Sequence, residues 1–176
     1  ILAGDIVEAR ALKLYSDEEY ARLDGLDYSK LTNKERINKF LMVECSRKYK
    51  HVIYVLGNHE HYHYTYDKTI PHMKANLPAN FRVLEQDNIV IDDVVFLCAT
   101  LWTNMNKGDP LTKQSLKYSM NDFMCVRRKR GEDYVKFTPE DAEAIHWFTL
   151  KYFKEILTLP SFAGKKFVVV SHHAPT

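Results

Sequence analysis

Residues 52–60 read Val-Ile-Tyr-Val-Leu-Gly-Asn-His-Glu, an apolar run that stops sharply and gives way to three polar side chains. The apolar residues show no polar alternation and are rich in β-branched and aromatic types, which is typical of a strand covered on both faces. Gly57 and Asn58 then end the strand, because both residue types favour turns. The segment therefore predicts a central strand with Asn58, His59 and Glu60 at its carboxyl end.

The same arrangement, a strand followed by polar residues, occurs near both ends of the chain. Gly4-Asp5 follows the apolar residues 1–3, and His172-His173 follows a strand-like run over residues 167–171. In open α/β sheets the ligand crevice lies beyond the carboxyl ends of the strands. We therefore expect Asp5, Asn58 and His172 to meet at one rim, although they are far apart in sequence.

Helical patterns and a hairpin occupy much of the remaining chain. Thr32 opens a capping box and a helix over residues 33–48, and Thr138 caps a second helix that ends before Pro160. Two short apolar segments joined by a pair of aspartates predict a hairpin over residues 89–100. This order of elements favours a layered α/β domain with a mixed sheet.

The chain starts without an initiator methionine, and its last strand-like run is followed only by residues 172–176. We therefore expect residues 1–176 to form a single domain that lacks structure at both termini. Two stretches, residues 16–31 and 101–137, carry no clear element pattern. The second contains Arg127–Arg130. We expect these residues to form a solvated loop, and phosphate binding is the alternative.

Composition limits the classes of function. The 176 residues carry 25 Lys and Arg against 23 Asp and Glu, and this net charge of +2 gives no argument for nucleic acid or an acidic membrane surface as a partner. The apolar runs are far shorter than the ~20 residues that a membrane span needs.

Cys45, Cys98 and Cys125 are odd in number and far apart, which favours reduced thiols and a cytoplasmic location. Cys98 lies in an apolar run and is expected to be a core residue.

Each polar residue at the strand ends has an ordinary structural explanation when it is taken alone. Asp5 and Asn58 suit turns or helix caps, and His59 suits the surface. Together, a carboxylate, an amide oxygen and an imidazole form a donor set that suits Mn, Fe, Zn or a similar divalent ion. The chain has no glycine-rich dinucleotide or phosphate-loop motif and no Gly-x-Ser-x-Gly elbow. Water activated by a metal ion is therefore the chemistry that we expect.

The next residues, His61 and His63, alternate along the chain and would share one face of an extended segment. A second metal site is one interpretation of this spacing. We favour the other, in which both line the mouth of the cleft or face solvent.

The motifs at the strand ends resemble, in order and spacing, those of the calcineurin-like metallophosphoesterases. They are Gly4-Asp5, Gly57-Asn58-His59-Glu60 and Ser171-His172-His173-Ala174-Pro175. Three middle segments resemble a bacterial and phage-associated branch of that superfamily: Thr100-Leu101-Trp102-Thr103, Met120-Asn121-Asp122-Phe123 and Phe137-Thr138-Pro139-Glu140-Asp141. The resemblance covers nearly the whole chain.

This resemblance implies a four-layer αββα sandwich with two mixed β-sheets, incomplete here at both termini, and two divalent metal ions at one edge. Asp5 would bridge both ions, and Asn58 and His172 would bind the second. His59 would face the substrate phosphate, with Glu60 as its orienting partner. The activity implied is that of a phosphatase or phosphodiesterase, a hydrolase that cleaves phosphate mono- or diesters of a small phosphorylated substrate by metal-activated water.

The chain departs from the family pattern at both ends. The family's opening Asp-x-His and closing Gly-His-x-His motifs are missing, and with them further metal ligands. We therefore expect partial metal binding and slow hydrolysis by this polypeptide. His173, beside a ligand, is expected to support the centre without binding metal itself. Glu8 stands near the position where many relatives carry a second Asp, and it either substitutes for that residue or lies in the first turn of the following helix.

Two other functions stay open. A relative without catalysis would use the same sandwich as a binding scaffold, but a scaffold would be free to lose Asp5, Asn58, His59 and His172, and all four are present. A nuclease would need Arg127–Arg130 to face the cleft and to give binding a steep salt dependence. Nothing in the sequence distinguishes one phosphorylated substrate from another.

Overall fold

Eight strands form three small sheets in the computed structural model, which describes residues 1–175. The first sheet is parallel throughout in the order β1-β2-β3, the second is mixed in the order β4-β5-β8, and the third is the hairpin β6-β7. The strands are β1 (Leu2–Ala3), β2 (Val52–Val55), β3 (Phe81–Leu84), β4 (Asp87–Ile91), β5 (Val94–Ala99), β6 (Arg127–Arg130), β7 (Asp133–Lys136) and β8 (Lys166–Ser171). Thr176, the last residue of the predicted domain, lies outside the described residues.

The predictions for β2 and for the hairpin are confirmed. All four residues of β2 are buried, and the strand lies between its two neighbours, with Leu2 opposite Tyr54 and Val52 opposite Phe81. β4 and β5 pair antiparallel through a tight turn at Asp92, whose φ is +55°. A strand without polar alternation is therefore central here, as expected for one covered on both faces.

Seven α-helices surround these sheets within the described residues. They are α1 (Asp17–Asp24), α2 (Asn33–Asn38), α3 (Tyr66–Asn76), α4 (Met105–Gly108), α5 (Pro110–Ser119), α6 (Asp122–Cys125) and α7 (Pro139–Leu157). The capping boxes at Thr32 and Thr138 are both formed, so α2 and α7 begin where the sequence predicts. The helix expected over residues 33–48 is α-helical only to Asn38 and continues as a wider π-helix over Lys39–Ser46. No helix within residues 1–175 is long and apolar enough to cross a bilayer.

The two larger sheets pack face to face. Ile53 and Val55 of β2 join Cys98 of β5 and Val170 of β8 in one buried cluster. The opposite face of β2 is covered by α3 and the π-helix, and the opposite face of β5 packs on α7. Cys98 is fully buried, and burial raises the pKa of its thiol to about 12, in agreement with its expected role in the core.

The basic segment Arg127–Arg130 is strand β6, so the prediction of a solvated loop was wrong. The Arg127 N–H donates to the Tyr64 carbonyl at 3.1 Å, and the guanidinium groups of Arg128 and Arg130 lie 2.9 and 2.5 Å from the Asp141 carboxylate. These partners are distant in sequence. A run of four cations therefore gains an ordered backbone that its own residue types do not predict.

Glu85 and Thr100, which directly follow strands β3 and β5, connect the two large sheets. Glu85 Oε2 accepts the Thr100 N–H at 2.7 Å and lies 2.7 Å from the Thr100 hydroxyl, which is also 2.8 Å from the Leu56 carbonyl. Since that hydroxyl has one proton for two acceptors, a protonated Glu85 satisfies both contacts. Burial raises the pKa of Glu85 to about 7, although the two Thr100 hydrogen bonds lower it.

This proton predicts a pH dependence of folding stability. Between about pH 4.5, the pKa of an unperturbed Glu, and pH 7 the folded state holds a proton that the unfolded state has lost. Glu85 therefore contributes to the free energy of unfolding a term that falls as pH rises through this window, by at most about 3 kcal/mol. We expect Glu85→Gln to remove this term, so that the free energy of unfolding changes more positively from pH 5 to pH 8 than in the wild type, measured by urea unfolding at the two pH values. Glu155→Gln on the exposed face of α7 is the control, and equal slopes in wild type and Glu85→Gln would contradict the assignment.

Candidate metal centre

The seam between the two large sheets brings the predicted site residues together. β1 ends at Ala3 beside Val55 of β2, and Gly4 and Asp5 then turn with φ of +89° and +58°. β8 belongs to the other sheet, but His172 reaches across the seam, where its Nδ1 lies 2.6 Å from the Ala3 carbonyl oxygen. Parallel strand ends that share an edge thus place residues from three parts of the chain at one rim.

Three polar atoms meet at this rim. His172 Nε2 lies 3.1 Å from Asn58 Oδ1 and 3.5 Å from Asp5 Oδ1. The side chain of His172 is 18% exposed and that of Asp5 is 33% exposed, so the group is accessible from solvent. The structure therefore brings together the three residues for which the sequence predicts convergence.

The hydrogen bonds around these atoms leave three electron-rich groups facing one another. A carbonyl oxygen only accepts, so His172 Nδ1 carries the proton that is donated to Ala3, and Nε2 presents its lone pair inward. Asn58 directs its NH2 group towards the Tyr62 hydroxyl at 3.4 Å and its Oδ1 towards His172. A positive charge at this point, either a second proton on His172 or a metal ion, relieves the repulsion.

The separations also fit a metal ion. Two ligands with bonds of about 2.1 Å at tetrahedral to octahedral angles are roughly 3.0–3.4 Å apart. The separations of 3.1 and 3.5 Å from His172 Nε2 are close to this range. Within residues 1–175 no group of three or more His, Cys, Asp or Glu side chains is placed to hold a metal ion, and the donor set here reaches three through the amide of Asn58.

The close approach of these donors depends on Gly57. A Cβ on Gly57 would lie 2.2 Å from Asp5 Oδ1 and 2.8 Å from His172 Cε1. At Gly4, whose φ is positive, a Cβ would lie 2.4 Å from the Gly57 nitrogen. Both glycines are therefore required for the two loops to cross.

The structure places Glu60 in a different role from the one expected. Glu60 is fully buried, and its carboxylate accepts backbone N–H groups from Asp5 at 2.9 Å, Ile6 at 2.7 Å and Gly57 at 2.7 Å, and the Tyr54 hydroxyl at 2.8 Å. Its oxygens are thus engaged with the Asp5 and Gly57 loops and not with the His59 ring. Glu60 fixes the backbone that carries Asp5, and it orients His59 only indirectly.

His59 lies on the open side of the rim. Its backbone N–H donates to Asp5 Oδ1 at 3.1 Å, and its ring Nε2 is 3.9 Å from Asp5 Oδ2. The side chain is 54% exposed and stacks on Tyr62 with ring centroids 4.4 Å apart. The Tyr62 hydroxyl lies 3.3 Å from Asp122 Oδ2. A spacing of three residues in a 3₁₀ turn places its ring over that of His59.

His173 and Glu8 lie around the centre without meeting its three donors. His173 Nδ1 is 3.2 Å from the Thr100 carbonyl and its ring stacks on Trp102, and burial lowers its pKa. Glu8 precedes a short 3₁₀ turn, and its carboxylate accepts from Arg10 at 2.7 Å and lies 3.3 Å from His63 Nδ1. Of the two interpretations of Glu8, the one at the start of a helical turn matches its position.

The alternating histidines do not share one face. His61 is buried against Tyr66, and burial lowers its pKa to about 3, whereas His63 is half-exposed beside Glu8. The expectation that both line the cleft mouth or face solvent is therefore wrong for His61, because the ring packs into the core beneath the rim.

Comparison of the chain with protein-family models, with curated proteins and with solved structures finds no match.

Proposed function

We propose that this protein hydrolyses phosphate mono- or diesters at a divalent metal centre held by Asp5, Asn58 and His172. One observation carries the proposal. At the carboxyl ends of three strands, the imidazole Nε2 of His172 lies 3.1 Å from the amide oxygen of Asn58 and 3.5 Å from a carboxylate oxygen of Asp5. Such a donor set suits Mn, Fe or Zn. Bound there, divalent ions supply charge stabilisation for the phosphoryl group and activation of a water for attack.

The side chains around the centre have separate tasks in this proposal. Asp5 joins the ligand set to His59, because its Oδ1 accepts a hydrogen bond from the His59 backbone N–H at 3.1 Å. His59 presents an exposed ring beside Asp5, where it stabilises charge on the phosphate or gives a proton to the leaving oxygen. His173, stacked on Trp102, supports the position of the neighbouring His172 without being a ligand itself.

The packing of the elements supports the αββα sandwich that the resemblance implies. Two sheets share one buried cluster, while α3 and the π-helix cover one outer face and α7 covers the other. The second sheet is mixed, as the resemblance implies, and the first is parallel in the described residues. The three free cysteines support the proposed cytoplasmic location.

Hydrolysis of aryl phosphates tests the proposal. We expect slow release of nitrophenol from mono- or bis-nitrophenyl phosphate in the presence of Mn²⁺ or Zn²⁺, because only part of the family's ligand set is present. A chelator should stop the release and excess metal should restore it. Metal binding at this centre without hydrolysis of either ester would favour the scaffold, and absence of metal binding would overturn the proposal.

A further inference from the structure

The basic hairpin β6-β7 has two chemically different faces. Side chains alternate across a strand pair, and the cross-strand partners Arg127 with Lys136 and Lys129 with Tyr134 project to one side. All four are exposed, and we call them the outer ribbon face. The hairpin therefore presents three cations around one aromatic ring to solvent.

The inner side of the hairpin fixes this face in place. Arg128 and Arg130 lie 2.9 and 2.5 Å from the Asp141 carboxylate, which is only 5% exposed at the start of α7. One carboxylate therefore holds both guanidinium groups on the inner side, whereas within residues 1–175 the cations of the outer ribbon face form no ion pair. The two sets of cations in one short segment thus have different roles.

Neighbouring charges on α3 add to the outer ribbon face. Lys68 Nζ lies 4.6 Å from the centroid of the Tyr134 ring, which keeps 39% of its surface exposed. The nearby Asp67 carboxylate accepts the Lys129 backbone N–H at 2.7 Å, and Glu132 and Asp133 lie at the turn. Four cations around the tyrosine against these three carboxylates leave a net charge of about +1, so the surface as a whole is only mildly basic.

The outer ribbon face continues towards the candidate metal centre. Arg127 lines a surface cavity of about 430 Å³ together with His63 and Met124. His63 Nδ1 in turn lies 3.3 Å from Glu8, three residues beyond Asp5. A ligand extended along the outer ribbon face past Arg127 would therefore reach this cavity.

We propose that the outer ribbon face binds single-stranded nucleic acid, with Arg127, Lys129 and Lys136 on its phosphates and Tyr134 against a base. Proteins that hold single strands combine a positive surface that follows the backbone with aromatic rings on which bases stack. The outer ribbon face supplies both. This binding goes beyond the proposed hydrolysis and needs no metal ion.

Fluorescence anisotropy with a labelled 20-nucleotide single strand, in buffer with a chelator, tests the inference. We expect the triple change Arg127→Gln, Lys129→Gln and Lys136→Gln to weaken binding at least ~10-fold. It should also make the slope of log K against log salt shallower by about 2, since each phosphate contact contributes about 0.7. Tyr134→Ala should weaken binding several-fold with little change in that slope.

The matched control removes three exposed cations elsewhere: Lys50→Gln, Lys74→Gln and Lys154→Gln. Circular dichroism checks that each variant folds. An equal loss of affinity in both triple variants, or no binding by the wild type at 50 mM salt, would overturn the inference. So would a triple variant that loses binding to vesicles containing phosphatidylserine but keeps its affinity for the oligonucleotide. Because the chelator removes metal, failure of hydrolysis leaves this result unaffected.

Discussion

The Asp5→Asn variant is expected to lose at least ~100-fold of the proposed metal-dependent phosphoester hydrolysis while it keeps its fold. The carboxylate supplies the negative charge among the three donors. A bound metal contributes several kcal/mol of charge stabilisation. Since each ~1.4 kcal/mol lost from this stabilisation slows the reaction about tenfold, the expected loss is at least ~100-fold. Asparagine keeps an oxygen for the His59 N–H, which Asp5 Oδ1 now accepts at 3.1 Å. It also tolerates the positive φ of +58° at this position.

Thermal unfolding with and without Mn²⁺ gives a second readout. The wild type should melt at a higher temperature with the metal, because a ligand that binds only the folded state stabilises it. Asp5→Asn should show little of this rise and should melt like the wild type without metal. Asp93→Asn, at an exposed turn, is the control. Unchanged turnover in Asp5→Asn would remove Asp5 from the mechanism.

The Gly57→Ala variant should impair the centre although it replaces none of the three proposed ligands. A methyl group 2.2 Å from Asp5 Oδ1 and 2.8 Å from His172 Cε1 has to push these two side chains apart. We expect Mn²⁺ affinity, measured by titration calorimetry, to fall at least ~10-fold and hydrolysis to fall with it. The stability cost is about 1–3 kcal/mol, as for overpacking in a core.

Gly25→Ala is the matched control for this change. Gly25 has a φ of −79° at the end of α1, and a Cβ there meets no atom within 4 Å. That variant should bind Mn²⁺ and unfold like the wild type. If Gly57→Ala bound Mn²⁺ as tightly as Gly25→Ala, the close approach of Asp5 and His172 would not be what forms the site.

Much of the fold could be predicted from local patterns. The apolar run at residues 52–56, the hairpin at residues 89–100 and the capping boxes at Thr32 and Thr138 are all signals within a few residues. The meeting of Asp5, Asn58 and His172 could be predicted as well, since each follows the carboxyl end of a strand, although β8 lies in the other sheet. These features depend on backbone geometry and burial, which sequence periodicity reports directly.

Other features could not be predicted, because their partners are distant in sequence. Glu60 accepts the Asp5 and Ile6 N–H groups across more than fifty positions, and no local spacing reveals that. The ordering of Arg127–Arg130 depends on its pairing with β7 and on Asp141, but also on Tyr64, which is 63 positions away. The π-helical continuation of α2 over Lys39–Ser46 replaced the regular helix expected from its apolar spacing.

The most direct test is the position of Mn²⁺ in crystals of this chain, found by anomalous diffraction. A peak in contact with the Asp5 carboxylate, Asn58 Oδ1 and His172 Nε2, at about 2.0–2.3 Å from each, is the predicted result. If crystals soaked in Mn²⁺ gave no peak there, a second proton on His172 would account for the three facing donors, and the metal centre would be contradicted. A peak bound by other residues would contradict it too.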